Sequence, residues 1–338
     1  MTDQFYDLPE NPRPSGGEIG HFQAIDGITI RYARFRPEPG LARRGTIIVL
    51  SGRNEHIEKY FETIGDLTAR GFHVAMADWR GQGGSQRLLS DRERGYVRSF
   101  QDYVADLHTF LDKHVSPEMP APYYILAHST GGLIALLAAP RLTNRIRRMV
   151  LSAPLIGLHG LPVSMRTVRR ISGLVRLTGF GWIYASGGPR KRNPFATNML
   201  TRDLKRYERN RNIVETHPVL GMGGPTATWL NRVCHAVDTV TDPDFMARIQ
   251  IPTLFVLAGA DEVVSTSTTE HFARGLRSGA TVTIDGARHE LLQEADVYRD
   301  QFFSAFDAFI PGSDAIFNPQ GADGPAASDE GAARDTPA

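Results

Sequence analysis

The stretch that constrains this chain most is Tyr123–Ala139, YYILAHSTGGLIALLAA. Tyr123–Ala127 is an apolar run of strand length, Gly131 and Gly132 follow almost at once, and Leu133–Ala139 reads as a buried helix of Leu and Ala. A strand that turns into a helix within so few residues needs small side chains, because a Cβ at Gly131 would crowd the approach of helix to strand. The pattern is small-x-Ser-x-Gly, with Ala127 where glycine is usual and Ser129 at the turn. This is the context of a nucleophile elbow. Ser129 stands at a helix N-terminus, where free N–H groups and the helix dipole favour negative charge. The same spacing also fits a serine that caps an ordinary helix, so the rest of the chain has to decide.

The flanking segments read as alternating strands and helices. Residues 1–20 are rich in Pro and Gly and read as an N-terminal arm. His21–Arg36 alternates around Asp26-Gly27, the signature of an opening β-hairpin. Thr46–Leu50 (TIIVL) is a strand to be buried on both faces. A loop at Ser51–Glu55, a helix over Lys59–Arg70 closed by Gly71, and a strand at His73–Ala77 follow. Phe100–His114 reads as a helix and Arg148–Ser152 as a strand. Strand–helix repetition means a parallel sheet with helices on both faces. From about Leu155 to Val240 no strand is evident. The alternation resumes with Thr253–Leu257, a helix near Thr269–Leu276, a strand at Ala280–Ile284 and a helix at Asp296–Phe309. The expected organisation is a core of residues 21–154 and 241–311, a helical insertion at 155–240, and a disordered tail at 312–338, where apolar residues are few.

Composition narrows the class. Of 338 residues one is cysteine, Cys234, so no internal disulfide can form. The formal net charge is +1, and no apolar run reaches membrane-spanning length. The first residues lack the apolar core of a secretory signal, which leads to the expectation of a cytoplasmic protein.

A serine hydroxyl needs a base, and the base needs an orienting carboxylate. On a parallel sheet of this kind the expected order is Ser, Asp, His. Asp261 lies just after the Thr253 strand and His289 just after the Ala280 strand, so both fall on loops at the strands' C-terminal ends, where Ser129 also sits. Glu262 is a rival carboxylate next to Asp261, and His128 and His56 are other histidines near these loops. His128 is expected to point away from the Ser129 hydroxyl, and His56 to line the site. Two N–H donors are needed for an oxyanion. The backbone of Thr130, at the elbow, and of Arg53, after Gly52, are the candidates. No metal or organic cofactor is implied.

Five segments in order, SGRNEHIEKY, DWRGQGGSQRLL, AHSTGG, GADEVV and GARHELLQE, resemble the α/β-hydrolase fold. More narrowly they are similar to bacterial lysophospholipase L2 and the related monoacylglycerol lipases. The Gly-Arg-x-Glu loop followed by Lys-Tyr carries the narrower likeness, although Ser51-Gly52 stands where most hydrolases of this fold have His-Gly. The resemblance implies catalytic roles for Ser129, Asp261 and His289. It also implies support of the oxyanion loop by Glu55, beside Gly52 and Gly131, and a structural turn at Asp78-x-Arg80-Gly81-x-Gly83. It further implies a mostly parallel central sheet, with the insertion as a cap over the serine.

The insertion is basic, with about 13 Arg and Lys against about 4 Asp and Glu between Leu155 and Val240. Over Leu161–Leu177, helical spacing puts Leu161, Met165, Val168, Ile171 and Val175 on one face and Arg166, Arg169, Arg170 and Arg176 on another. Such a helix suits an anionic membrane surface, and equally a cap helix with solvated arginines. Arg190-Lys191-Arg192 is a second cluster, a candidate for headgroup contact. Balanced overall charge and the lack of a recognition motif argue against nucleic acid. The leading expectation is a serine ester hydrolase of a single-chain lipid, a lysophospholipid or monoacylglycerol. A small-molecule esterase or peptidase of the same fold, and a non-catalytic binding protein, are the alternatives.

Overall fold

The computed structural model describes residues 4–160, 162–191 and 193–311. Leu161, Arg192 and the tail 312–338 lie outside them.

The strands are β1 (Gly17–Gln23), β2 (Thr29–Phe35), β3 (Thr46–Leu50), β4 (His73–Ala77), β5 (Tyr123–His128), β6 (Ile146–Ser152), β7 (Thr253–Ala258) and β8 (Gly279–Ile284). They form one eight-stranded sheet in the order β1-β2-β4-β3-β5-β6-β7-β8. β1 and β2 are the antiparallel hairpin, and β2 also runs antiparallel to β4; the pairs from β4 to β8 are parallel. The helices are α1 (Phe61–Ala69), α2 (Phe100–Phe110), α3 (Thr130–Leu142), α4 (Met165–Val175), α5 (Leu204–Thr216), α6 (Ala227–Val240), α7 (Pro243–Met246), α8 (Thr266–Arg274) and α9 (Asp296–Phe309).

Side chains alternate across the sheet as the pleat requires. Ile48, Leu50, Ile125, Ala127 and Leu151 enter one core layer, under α2, α3, α6 and α8. Ile47, Val49, Tyr124, Leu126 and Val150 enter the other, under α1 and α9. Leu133–Ala139 of α3 is buried on every side, which accounts for its unbroken run of Leu and Ala.

The arm expected at 1–20 is docked over its described part. Phe5 packs 5.6 Å from the ring of Phe35 and 5.8 Å from that of Phe61, Asn11 Nδ2 donates to the Glu58 carbonyl at 2.8 Å, and β1 begins at Gly17. The Pro- and Gly-rich composition masked two aromatic anchors, Phe5 and Tyr6.

Between β6 and β7 lie α4, α5, α6 and the short α7. α6 is capped by Thr226, whose side chain accepts from the Trp229 N–H, and it buries Trp229, Val233 and Val237 in the main core. α5 is fastened to the body by ion pairs. Arg206 reaches Glu62 of α1 and Asp296 of α9, each at 2.6 Å, and Arg209 reaches Glu62 at 2.7 Å. α4 packs mainly on α6. Of the apolar face expected, Met165, Val168 and Val175 are half-buried and Ile171 is 58% exposed; Ser172 is buried beside them, Gly173 faces Asn231, and Leu174 and, past the helix, Leu177 are 65 and 75% exposed. Met165 packs against the core cluster to which α6 contributes Trp229 and Val233.

Candidate active site

β5 ends in a sharp turn. Ser129 adopts φ +49°, a conformation costly for a residue with a Cβ, and is held there by its own N–H to Ser152 O and by the Gly132 N–H to its carbonyl, both 3.0 Å. A Cβ at Gly131 would lie 2.2 Å from the Leu50 carbonyl oxygen, so only glycine lets α3 approach β3 this closely.

Parallel pairing from β3 to β8 brings four loops to one edge of the sheet. His289, after β8, places Nε2 3.1 Å from Ser129 Oγ and Nδ1 2.8 Å from Asp261 Oδ2. A carboxylate can only accept, so Nδ1 carries the hydrogen and Nε2 presents its lone pair to the serine. Asp261, after β7, also accepts from the Val263 and Val264 N–H groups through Oδ1, at 2.8 and 2.9 Å. Burial alone would raise its pKa, but the His289 hydrogen bond and these two N–H groups outweigh it and hold the carboxyl below its ordinary range. Glu262 is exposed and takes no part in this arrangement.

The loop after β3 carries Gly52, Arg53, Asn54 and Glu55. Neither the Arg53 nor the Thr130 N–H has an acceptor among the described residues. The Glu55 carboxylate accepts from the Gly52 N–H, from Tyr60 OH at 2.6 Å and from Lys59 Nζ at 2.8 Å. That accounts for the Gly-Arg-x-Glu loop and the Lys-Tyr pair occurring together. Lys59 Nζ also binds Glu290 at 2.6 Å. Burial opposes the charge on both Glu55 and Lys59, but the attraction of Lys59 lowers the Glu55 carboxyl's pKa, and the attraction of Glu290 and then Glu55 raises that of the Lys59 amine. Asn54 sits at φ +60° and links the loop outward: its N–H meets Gln82 Oε1 at 2.5 Å and its Oδ1 accepts from the Met222 N–H at 2.9 Å.

His128 and His56 also flank the cavity. His128 Nδ1 lies 3.2 Å from the Ser152 carbonyl, and burial lowers its pKa toward the neutral form. His56 Nδ1 lies 3.1 Å from Glu58 Oε2. The Asp78 turn is tied into a buried cluster. Asp78 accepts from Arg31 Nε and the Ile57 N–H at 2.8 and 2.9 Å, and Arg31 also donates two hydrogen bonds to Glu58, from Nη1 to Oε1 and from Nη2 to Oε2, both 2.8 Å.

Ser129 and His289 open into a cavity of about 550 Å³, whose wall includes Arg53 and, from the insertion, Arg190, Lys191 and Tyr207. Arg190 and Lys191 thus share the cavity with Ser129, while Arg192 lies outside the described residues. Arg166 and Arg170 sit on α4 as exposed residues; Arg169 is paired with Asp238 of α6 at 2.7 Å. Sequence reasoning missed Lys59, Glu290 and the side chain of Arg53. The signals were the Lys-Tyr pair and the Glu directly after His289.

The profile of the family described as serine aminopeptidase, S33, matches residues 42–296. The chain belongs to this family. Lysophospholipase L2 of Escherichia coli (strain K12) is 34% identical over 297 residues, covering 86% of each chain. A probable lysophospholipase L2 of Haemophilus influenzae is 28% identical over 274 residues, covering 81% of this chain and 86% of that one. Among solved structures, a soluble variant of monoglyceride lipase from Saccharomyces cerevisiae, in complex with a substrate analog, superposes with a TM-score of 0.72 at 19% identity, covering 89% of this chain and 99% of that one. The fold is the α/β-hydrolase fold, and this S33 family member is a carboxylic ester hydrolase.

Proposed function

We propose that the protein cleaves the acyl ester of a single-chain glycerophospholipid or monoacylglycerol, through an acyl-enzyme on Ser129. The observation that carries this reading is the Ser129–His289–Asp261 relay opening into a cavity with a cationic wall. His289 Nε2 takes the Ser129 proton as Oγ attacks the ester carbonyl. The N–H groups of Arg53 and Thr130 hold the oxyanion. Asp261 fixes the imidazole tautomer and stabilises the imidazolium. The imidazolium then protonates the departing glycerol oxygen. Water, activated by the freed His289, attacks the acyl-enzyme, and the fatty acid leaves as the proton returns to Ser129.

Glu55 and Lys59 brace the oxyanion loop, and Gly52 and Gly131 give it room. Arg190 and Lys191 are the headgroup contacts in this reading. The exposed apolar flank of α4, with Arg166 and Arg170, is the surface that meets an anionic membrane from the cytoplasmic side; no helix of the described residues is long and apolar enough to cross one. Fatty acid release from a long-chain lysophosphatidylethanolamine, a matched monoacylglycerol and a short nitrophenyl ester tests the assignment. Turnover of the long-chain lipids well above the short ester is expected. Activity on the short ester alone would overturn the lipid assignment while leaving the ester chemistry.

A further inference from the structure

Most buried arginines in this molecule are matched by carboxylates. Arg31 meets Glu58 and Asp78, Arg80 meets Asp26 and Asp106, and Arg299 meets Asp66 and Glu62. Half-buried Arg87 has no carboxylate partner among the described residues but donates to the Gly81, Val219 and Gly221 carbonyls. Arg53 has neither arrangement. Its Nη1 donates to the Gly223 carbonyl at 2.9 Å, its plane lies 5.6 Å from the Trp229 ring, and its other donors have no acceptor among the described residues. Burial without a neutralising partner pushes its pKa down to about 10. Arg53 is one of the residues lining the cavity of Ser129, on the loop that follows β3, and its N–H is the proposed oxyanion donor. Lys191, on the same wall, also has no ion-pair partner among the described residues.

We propose that the Arg53 guanidinium, with Lys191, forms a phosphate-group subsite that selects single-chain phospholipids over monoacylglycerols. The inference rests on Ser129 being the nucleophile of an ester hydrolase. In a lysophospholipid the phosphate stands one glycerol away from the ester carbonyl, a span comparable to an arginine side chain. A residue whose backbone N–H meets the carbonyl oxygen can therefore meet the phosphate with its fork of donors. The Trp229 ring and Gly223 carbonyl hold the fork in place. A monoacylglycerol offers only a hydroxyl there and leaves the cation uncompensated, which is the basis of discrimination.

The test compares kcat/KM for a lysophosphatidylethanolamine and a monoacylglycerol of the same acyl chain, in the wild type, Arg53→Met, Arg53→Lys and Lys191→Met. A charge-assisted contact of this kind corresponds to roughly 10- to 100-fold. The phospholipid-to-glycerolipid ratio should fall by that factor in Arg53→Met, less in Arg53→Lys and Lys191→Met. Glycerol 3-phosphate should inhibit nitrophenyl ester hydrolysis by the wild type, and much less by Arg53→Met. Equal losses on both lipids in Arg53→Met and Arg53→Lys, with inhibition unchanged, would overturn the subsite and leave Arg53 a tie between loop and insertion. Loss of inhibition by inorganic phosphate with an unchanged lipid ratio would keep the subsite and overturn the headgroup as its occupant. If the wild type released no fatty acid from either lipid, the functional reading would fall on its own.

Discussion

At the residue scale, Asp261 is the informative position, because its two oxygens do different jobs. Oδ1 is held by two backbone N–H groups and Oδ2 faces His289, so the carboxylate cannot rotate away. Asp261→Asn keeps the shape but offers an amide N–H where only an acceptor suits the imidazole. It is expected to lower kcat on a soluble ester by about 10⁴-fold with KM little changed; a loss below tenfold would show that Asp261 does not orient the base. Ser129, Asp261 and His289 were legible in the sequence because each follows an apolar strand, and parallel pairing carries such loops to one edge. Lys59 and Glu290 were not legible as a pair. They are 231 positions apart and meet only when β8 closes the sheet. For Arg53, nothing in a linear pattern says that a guanidinium will be left without a carboxylate.

At the element scale, the insertion divides into a fixed part and an exposed part. α5 is joined to α1 through Glu62. Burial pushes that carboxyl's pKa up, but Arg206, Arg299 and Arg209 prevail and lower it to about 2. A folded-state pKa below the ordinary 4.5 means that the stabilisation is present above about pH 4.5 and is lost as pH falls toward 2. Urea unfolding followed across that window should show a shallower pH dependence for Glu62→Gln than for the wild type. An identical slope would mean that the pair contributes nothing to stability. α4 is the element that periodicity placed least well. The helix is shorter than the expected 161–177, and of its apolar residues Met165, Val168 and Val175 are half-buried beside Ser172 while Ile171 and Leu174 are turned out. Hydrophobic spacing finds a helix; it does not say which side a neighbour will cover.

At the scale of the whole molecule, the polarised charge of the sequence resolves into two uses. Part of the insertion's excess joins it to the core or to itself, through Arg206, Arg209 and Arg169. Arg166, Arg170 and Lys191 have no ion-pair partner among the described residues; the first two flank exposed Ile171, Leu174 and Leu177. Co-sedimentation with phosphatidylglycerol-containing vesicles is expected to weaken about tenfold or more in a Leu174→Ser, Leu177→Ser double variant. Its salt dependence should decrease in Arg166→Gln, Arg170→Gln. Unchanged binding in both would remove the membrane from the account. The strand segments, the mostly parallel sheet and the placement of the insertion after β6 were readable from the strand–helix alternation and its break; the order in which the strands pair was not. The docking of Phe5 and Tyr6 was not, because two aromatics in a polar segment give no periodic signal.

Every catalytic role proposed above requires Ser129 to be the nucleophile, and covalent labelling tests that most directly. The full chain would be treated with a long-chain fluorophosphonate and the modified peptide identified by mass spectrometry, with Ser129→Ala in parallel. One adduct per chain on Ser129, rising in step with loss of ester hydrolysis and absent from the variant, is the predicted result. A labelled residue elsewhere, or hydrolysis by Ser129→Ala at the wild-type rate, would contradict it.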